Sequence, residues 1–217
     1  MRRILFFSGL VELILLLIVA LCFSGLAVVV AVREFDEEEL FRFFIGHVSY
    51  AWLSSALYVV VALLAAFQLV GVFAVFIQWL YDALLRILFL VLGASMFTGY
   101  IWSQHSWGHV VLDFRILSQL LLLLATWVAL VLVTRRTGQL VILAGLASLP
   151  VLKYSVNWWN TMHQAATVVA GNESTIAASI IYCNAMYLLF ALLVAAEVCR
   201  AYIRTVWVKL RIGDQFN

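Results

Sequence analysis

Residues 44–69 read FIGHVSYAWLSSALYVVVALLAAFQL, a stretch that contains no Asp, Glu, Lys or Arg. A helix needs roughly 20 mostly apolar residues to cross the hydrocarbon layer of a bilayer. This run is long enough and dry enough to do so, and it sets the class of the whole chain. Further apolar runs on either side of it occupy 10–32, 76–101, 115–134, 139–156 and 174–198. The expectation is therefore an all-α, polytopic membrane protein, one domain over residues 1–217 with six transmembrane helices. Composition agrees: 66% of residues are hydrophobic, 11% are charged and the mean hydropathy is +1.11, which leaves no room for a soluble domain of catalytic size. The net charge of +2, with no basic stripe interleaved with aromatics, gives no footing for nucleic acid.

The placement of charge predicts orientation. Arg2 and Arg3 precede the first run, Arg135 and Arg136 follow the fourth, and Arg200, Arg204, Lys209 and Arg211 follow the sixth. The positive-inside rule puts these places on one face, so both termini are expected inside. The opposite, outer face then receives the acidic segment 33–42, the loop around Trp107 to Arg115 and the loop around Trp158 to Glu173. All four histidines fall toward that face: His47 at the start of span two, His105 and His109 in the second outer loop, and His163 in the third. The acidic segment is expected as a short amphipathic cap, with Phe35, Phe41, Phe43 and Phe44 at the lipid boundary and the Glu run in water. Asp82 and Arg86, four apart, are expected to pair along one helix face. Cys22, Cys183 and Cys199 lie in or beside apolar runs without metal-ligand spacing and read as packing residues.

Chemistry concentrates in Ser155-Val156-Asn157-Trp158-Trp159-Asn160-Thr161-Met162-His163-Gln164, shortly after Pro150, the only proline. Adjacent Trp at a membrane boundary ordinarily anchor a helix at the headgroups. The alternative is that a flat aromatic ligand rests on the indoles while His163 supplies an axial nitrogen, neutral imidazole being a good ligand for haem iron. His47, in Gly46-His47-Val48, is placed at the outer end of another helix to complete a pair.

These segments resemble the tryptophan-rich, or WWD, haem-handling family of cytochrome c maturation protein C. The resemblance covers roughly residues 40 to 170 and rests on Gly46-His47-Val48 with Ala51-Trp52; on Thr98-Gly99 and Trp102; on Trp107-Gly108 with Asp113, Arg115 and Ser118; and on the run from Pro150 to Gln164. It implies six spans, haem b held transiently at the outer face, and His47 and His163 as its two axial ligands. Trp107, Gly108, Asp113, Arg115, Trp158 and Trp159 match the remaining cofactor-binding positions. The resemblance also implies delivery of haem to a membrane-tethered haem chaperone that serves apocytochrome c, alongside an ABC-type ATPase and permease complex and a small single-span subunit. The middle of the Trp-rich motif departs from the family: where the family has several Trp, this chain reads His109-Val110-Val111-Leu112. Val and Leu offer a porphyrin less flat contact area than Trp. Arg115 and Lys153, at outer helix boundaries, are placed to pair with haem propionates.

The function expected on this basis is haem binding and delivery, with no bond broken by the protein and hence no enzymatic role. The alternative is a degenerate family member that no longer handles haem and serves as a structural subunit of a larger membrane complex. A transporter is disfavoured, since no pair of Gly/Pro-interrupted spans occupies corresponding halves. The membrane expected is an inner membrane, mitochondrial in preference to the bacterial cytoplasmic one.

Overall fold

The computed structural model describes residues 38–71, 75–109, 112–131 and 134–158, together with the isolated helical positions 185, 189, 196, 200, 201, 204, 207 and 208. The expected first span lies outside the described residues, and the sixth falls almost wholly outside them. Among the described residues the chain is all helical, without strands. Its helices are α1 (Glu38–Leu69), α2 (Val75–Trp107), α3 (Phe114–Val131), α4 (Arg135–Gly145) and α5 (Ser148–Trp158). Among the described residues, four segments are long and apolar enough to cross a membrane: Phe44–Leu69, Ile77–Trp107, Phe114–Val131 and Arg135–Asn157, the last joining α4 to α5. This is a multi-pass membrane protein.

Short connections make consecutive spans antiparallel. Gly71 turns the chain between α1 and α2 with φ of 87°, a left-handed conformation that costs glycine little. α1 packs along α2 through Leu53, Leu57, Tyr58, Val61, Ala62 and Ala65 on one side and Tyr81, Leu85, Leu88 and Leu92 on the other, all buried. Each set recurs at three- and four-residue intervals, so each forms one continuous stripe. Ala62 and Ala65 let the two backbones approach, as small residues do where lipid supplies no hydrophobic drive between helices. α1 also packs against α4, while α3 contacts α2, α4 and α5. Where α3 meets α4, a Cβ on Gly138 would stand 3.1 Å from the Ala129 carbonyl oxygen, so the two helices touch nearly backbone to backbone.

The expected fifth span, 139–156, is extended and divided. The helix begins at Arg135, and the chain breaks at Leu146–Ala147. The cause is Pro150: it has no N–H to give the carbonyl of residue 146, and its ring crowds that carbonyl. Carbonyls orphaned at a break inside a membrane must be satisfied by the protein. Leu143, Ala144 and Leu146 accept from the N–H groups of Leu146, Ala147 and Leu149 in tighter turns. The carbonyl of Ile142 accepts the hydroxyl of Tyr58, donated from α1 at 3.0 Å and fully buried.

At the Arg135 end of the bundle the sequence expectation needs correction. The Asp82 carboxylate pairs with Arg135 of α4 at 3.0 Å, whereas the Arg86 guanidinium reaches the Asp82 backbone carbonyl at 2.7 Å. This cross-helix pair still places the start of α2 beside Arg135, as the charge pattern required. One turn further in, Gln139 donates to Gln68 at 2.6 Å, an amide pair buried between α4 and α1.

Candidate haem-handling site

Away from the Arg135 end, the first turns of α1 and α3 meet the last turns of α2. α2 runs on to Trp107, so Trp102, His105 and Trp107 are helical and not part of an outer loop. The polar residues Ser103, Gln104, His105 and Ser106 lower the hydropathy there without interrupting backbone hydrogen bonding. The helix stops at Gly108, whose φ of 73° and N–H bond to the Gln104 carbonyl form a left-handed C-terminal cap. The connection to α3 is thus short, and His105 and His109 flank Trp107 as exposed side chains.

His47 lies on α1 and reaches across to α2. Its Nδ1 lies 3.0 Å from the backbone carbonyl oxygen of Ser95. A carbonyl only accepts, so Nδ1 carries the proton and donates. In the neutral ring the lone pair is then on Nε2, the arrangement usual for a metal-ligating histidine held by its other nitrogen. The ring lies over the turn of α2 that ends at Gly99: a Cβ there would stand 2.6 Å from Cε1 and 2.7 Å from Nδ1 of His47. Gln119, on α3, donates to the Ser95 hydroxyl at 2.6 Å, and both side chains are buried. Three helices therefore converge on the turn from Ser95 to Gly99.

One turn beyond, Phe44 packs on Trp102, with ring centroids 5.0 Å apart and planes tilted by 50°. Such pairs add about 0.5–1.5 kcal/mol beyond their area. The pair forms an aromatic ledge beside His47, because residues three apart on each helix share a face. Gly99 precedes the end of α2 by two turns, or about 12 Å at the helical rise, and the half-buried imidazole of His47, near the start of the span Phe44–Leu69, lies at that level of the helix.

The other motif residues take separate places. Asp113 is the N-cap of α3: its Oδ1 accepts the N–H groups of Arg115 at 3.0 Å and Ile116 at 3.1 Å. Arg115 stands half-buried in the first turn that Asp113 caps, and Trp107 is half-buried at the end of α2. Lys153 lies 5.4 Å from the centre of the Tyr154 ring on α5. Trp158 closes α5, which by alternation of the spans returns to the His47 end; its side chain, Trp159 and His163 lie outside the described residues. Among the described residues, no three His, Cys, Asp or Glu cluster as a metal site. Sequence reasoning missed Ser95 and Gln119 as partners around His47. Their only signal was polarity inside apolar runs.

Comparison with known proteins gives the family of the chain. A liverwort protein of Marchantia polymorpha described as a putative cytochrome c biosynthesis ccmC-like mitochondrial protein is 31% identical over 146 residues, 66% of this chain and 64% of that protein. A similarly described Arabidopsis thaliana protein is 28% identical over 64% of this chain and 55% of its own length. Heme exporter protein C of Escherichia coli K12 is 37% identical over 82 residues, 34% of each chain. The chain thus spans from about a third to just under two thirds of the length of these relatives. The sequence profile of CcmC, heme exporter protein C, matches residues 2–215, and the chain belongs to that family.

Proposed function

We propose that this protein binds haem b transiently at the outer face of its membrane and delivers it for cytochrome c maturation. His47 and His163 would be the axial ligands. The observation that carries the reading is the His47 ring itself, whose Nδ1–H is committed to the Ser95 carbonyl and whose Nε2 therefore bears the ligating lone pair. The donor set suits the group: a neutral imidazole, the Phe44–Trp102 aromatic ledge beside it, and Arg115 at the nearby helix start for a propionate. Trp107, Gly108 and Asp113 shape the loop above, and Trp158 and Trp159 precede His163 on the return of the chain. When bound, haem supplies an iron centre for the two imidazoles; the protein holds and orients, and breaks no bond.

The names of the relatives support this role, with a mitochondrial or bacterial inner membrane as its location. A haem chaperone serving apocytochrome c, an ABC-type ATPase and permease complex and a small single-span subunit would be its partners. Six spans with both termini inside complete the topology.

The test is the reduced-minus-oxidised absorption spectrum of detergent-purified protein, for the wild type, His47→Ala and His163→Ala. A b-type signal diminished by both substitutions is expected. The interval His109-Val110-Val111-Leu112, which stands where the family carries several Trp, favours a second reading as a haem-free structural subunit. A wild type that carries no haem yet co-purifies in a stable complex would establish that reading instead.

A further inference from the structure

We infer that Gly99, Ser95 and Gln119 are the positioning residues of the His47 imidazole: Gly99 sets how far the ring enters α2, the Ser95 carbonyl sets its tautomer, and Gln119 holds the turn that carries both. The purpose of this device rests on the haem-binding reading above, whereas its geometry stands without haem.

Residues 95 and 99 are one turn apart on the same face of α2. The ring of His47 bonds to the carbonyl of the first and occupies the volume that a side chain on the second would need. The contact at Gly99 is with Cε1 and Nδ1, atoms of a rigid plane, and Nδ1 is also the atom fixed by the hydrogen bond. A methyl group at 99 therefore forces the ring to shift, and because Nδ1 is one of the crowded atoms the shift strains its bond to the Ser95 carbonyl. Glycine is a poorer residue than alanine in a helix interior, so a glycine here has a local cost that the seated ring accounts for. From the opposite side, the Gln119 amide holds the hydroxyl of Ser95, whose side chain is fully buried, and so ties α3 to the turn on which His47 rests. Thr98 adds a hydroxyl bond at 3.2 Å to the same Ser95 carbonyl, alongside its shorter bond to Ala94.

Three measurements test this. The first is a thermal double-mutant cycle on the detergent-solubilised full chain. Gly99→Ala is expected to destabilise the protein when His47 is present and to be neutral or stabilising in a His47→Ala background, where alanine is simply the better helix former. An equal loss in both backgrounds would overturn the steric role.

The second is nitrogen-15 NMR of histidine-labelled protein without haem. A neutral His47 ring protonated at Nδ1 is expected, and a predominant Nε2–H form would overturn the tautomer assignment. If Gly99→Ala does not accumulate, Gln119→Leu carries the same measurement with Gly99 and His47 intact: growth of the Nε2–H form is expected, and an unchanged spectrum removes Gln119 from the device.

The third is haem affinity by absorption titration. Outer partners of metal-ligating histidines typically change affinity by 10- to 100-fold, and a loss of about that size is expected for Gly99→Ala. Haem binding unchanged by this substitution overturns the inference. Haem absent from the wild type overturns the functional reading alone, and the first two measurements then decide this one.

Discussion

The hydroxyl of Tyr58 donates to the backbone carbonyl of Ile142 across the break between α4 and α5, at 3.0 Å in the buried centre of the bundle. The bond gives a donor to a carbonyl in the last turn of α4, where the N–H of Leu146 bonds to Leu143 in a tighter turn. Tyr58→Phe keeps the ring and orphans the carbonyl, which costs about 1–3 kcal/mol when buried. A lower melting temperature in detergent, without loss of helical circular dichroism, is the expected result. Gly145→Ala should cost more, because its Cβ would fall on the Tyr58 hydroxyl and within 2.9 Å of Cζ.

The ion pair between Asp82 and Arg135 has a different character. Its side chains retain 24% and 41% of their exposure, so water and salt weaken it. Pairs of this kind contribute about 0–1 kcal/mol. Asp82→Ala and Arg135→Ala should each lower the melting temperature slightly, the double variant should be scarcely worse than either, and the effect should fade in ~1 M salt, where screening acts over about 3 Å. Persistence of the full effect at high salt would contradict an exposed pair.

Asp113 separates a structural from an electrostatic contribution to the motif. Its carboxylate caps α3, and an Ala there costs about 1 kcal/mol typically. Asn preserves a capping oxygen and removes the charge. Asp113→Asn should therefore melt close to the wild type while Asp113→Ala melts lower, and haem titrations of the two should follow stability if the cap is what Asp113 supplies. A haem defect in Asp113→Asn at normal stability would assign the charge a direct role.

Sidedness is open to direct chemistry. With Cys22, Cys183 and Cys199 replaced, single cysteines at His109 and Arg136 should react with an impermeant thiol reagent from opposite faces of sealed vesicles, because α3 lies between them. Reaction of both from the same face would contradict the crossing of α3.

The sequence disclosed the second to fifth spans and their order, because uninterrupted apolar length is a direct measure of what a bilayer accepts. It misplaced the end of α2 by six residues, from 101 to Trp107, since hydropathy reports immersion and not hydrogen bonding. Pro150 was visible, but its consequence was not: the donor that repairs the break comes from Tyr58, far along the chain, and only packing brings the two together. Asp82 likewise had an apparent partner at Arg86 by helical spacing, whereas the cross-helix partner, Arg135, requires knowing which helices adjoin. His47 was legible as a candidate ligand. Its seat was not, because half of that seat is a main-chain oxygen and the other half is the absence of a side chain.

A main-chain oxygen cannot be substituted away, so drift in the sequence can disturb the His47–Ser95 bond only by changing the histidine, filling the notch or moving the helix. The trace of this seat in any set of homologous sequences should therefore be a histidine accompanied by a glycine on the neighbouring helix, while the residue that provides the bond answers only to the side chain that ties its turn in place, here the hydroxyl held by Gln119.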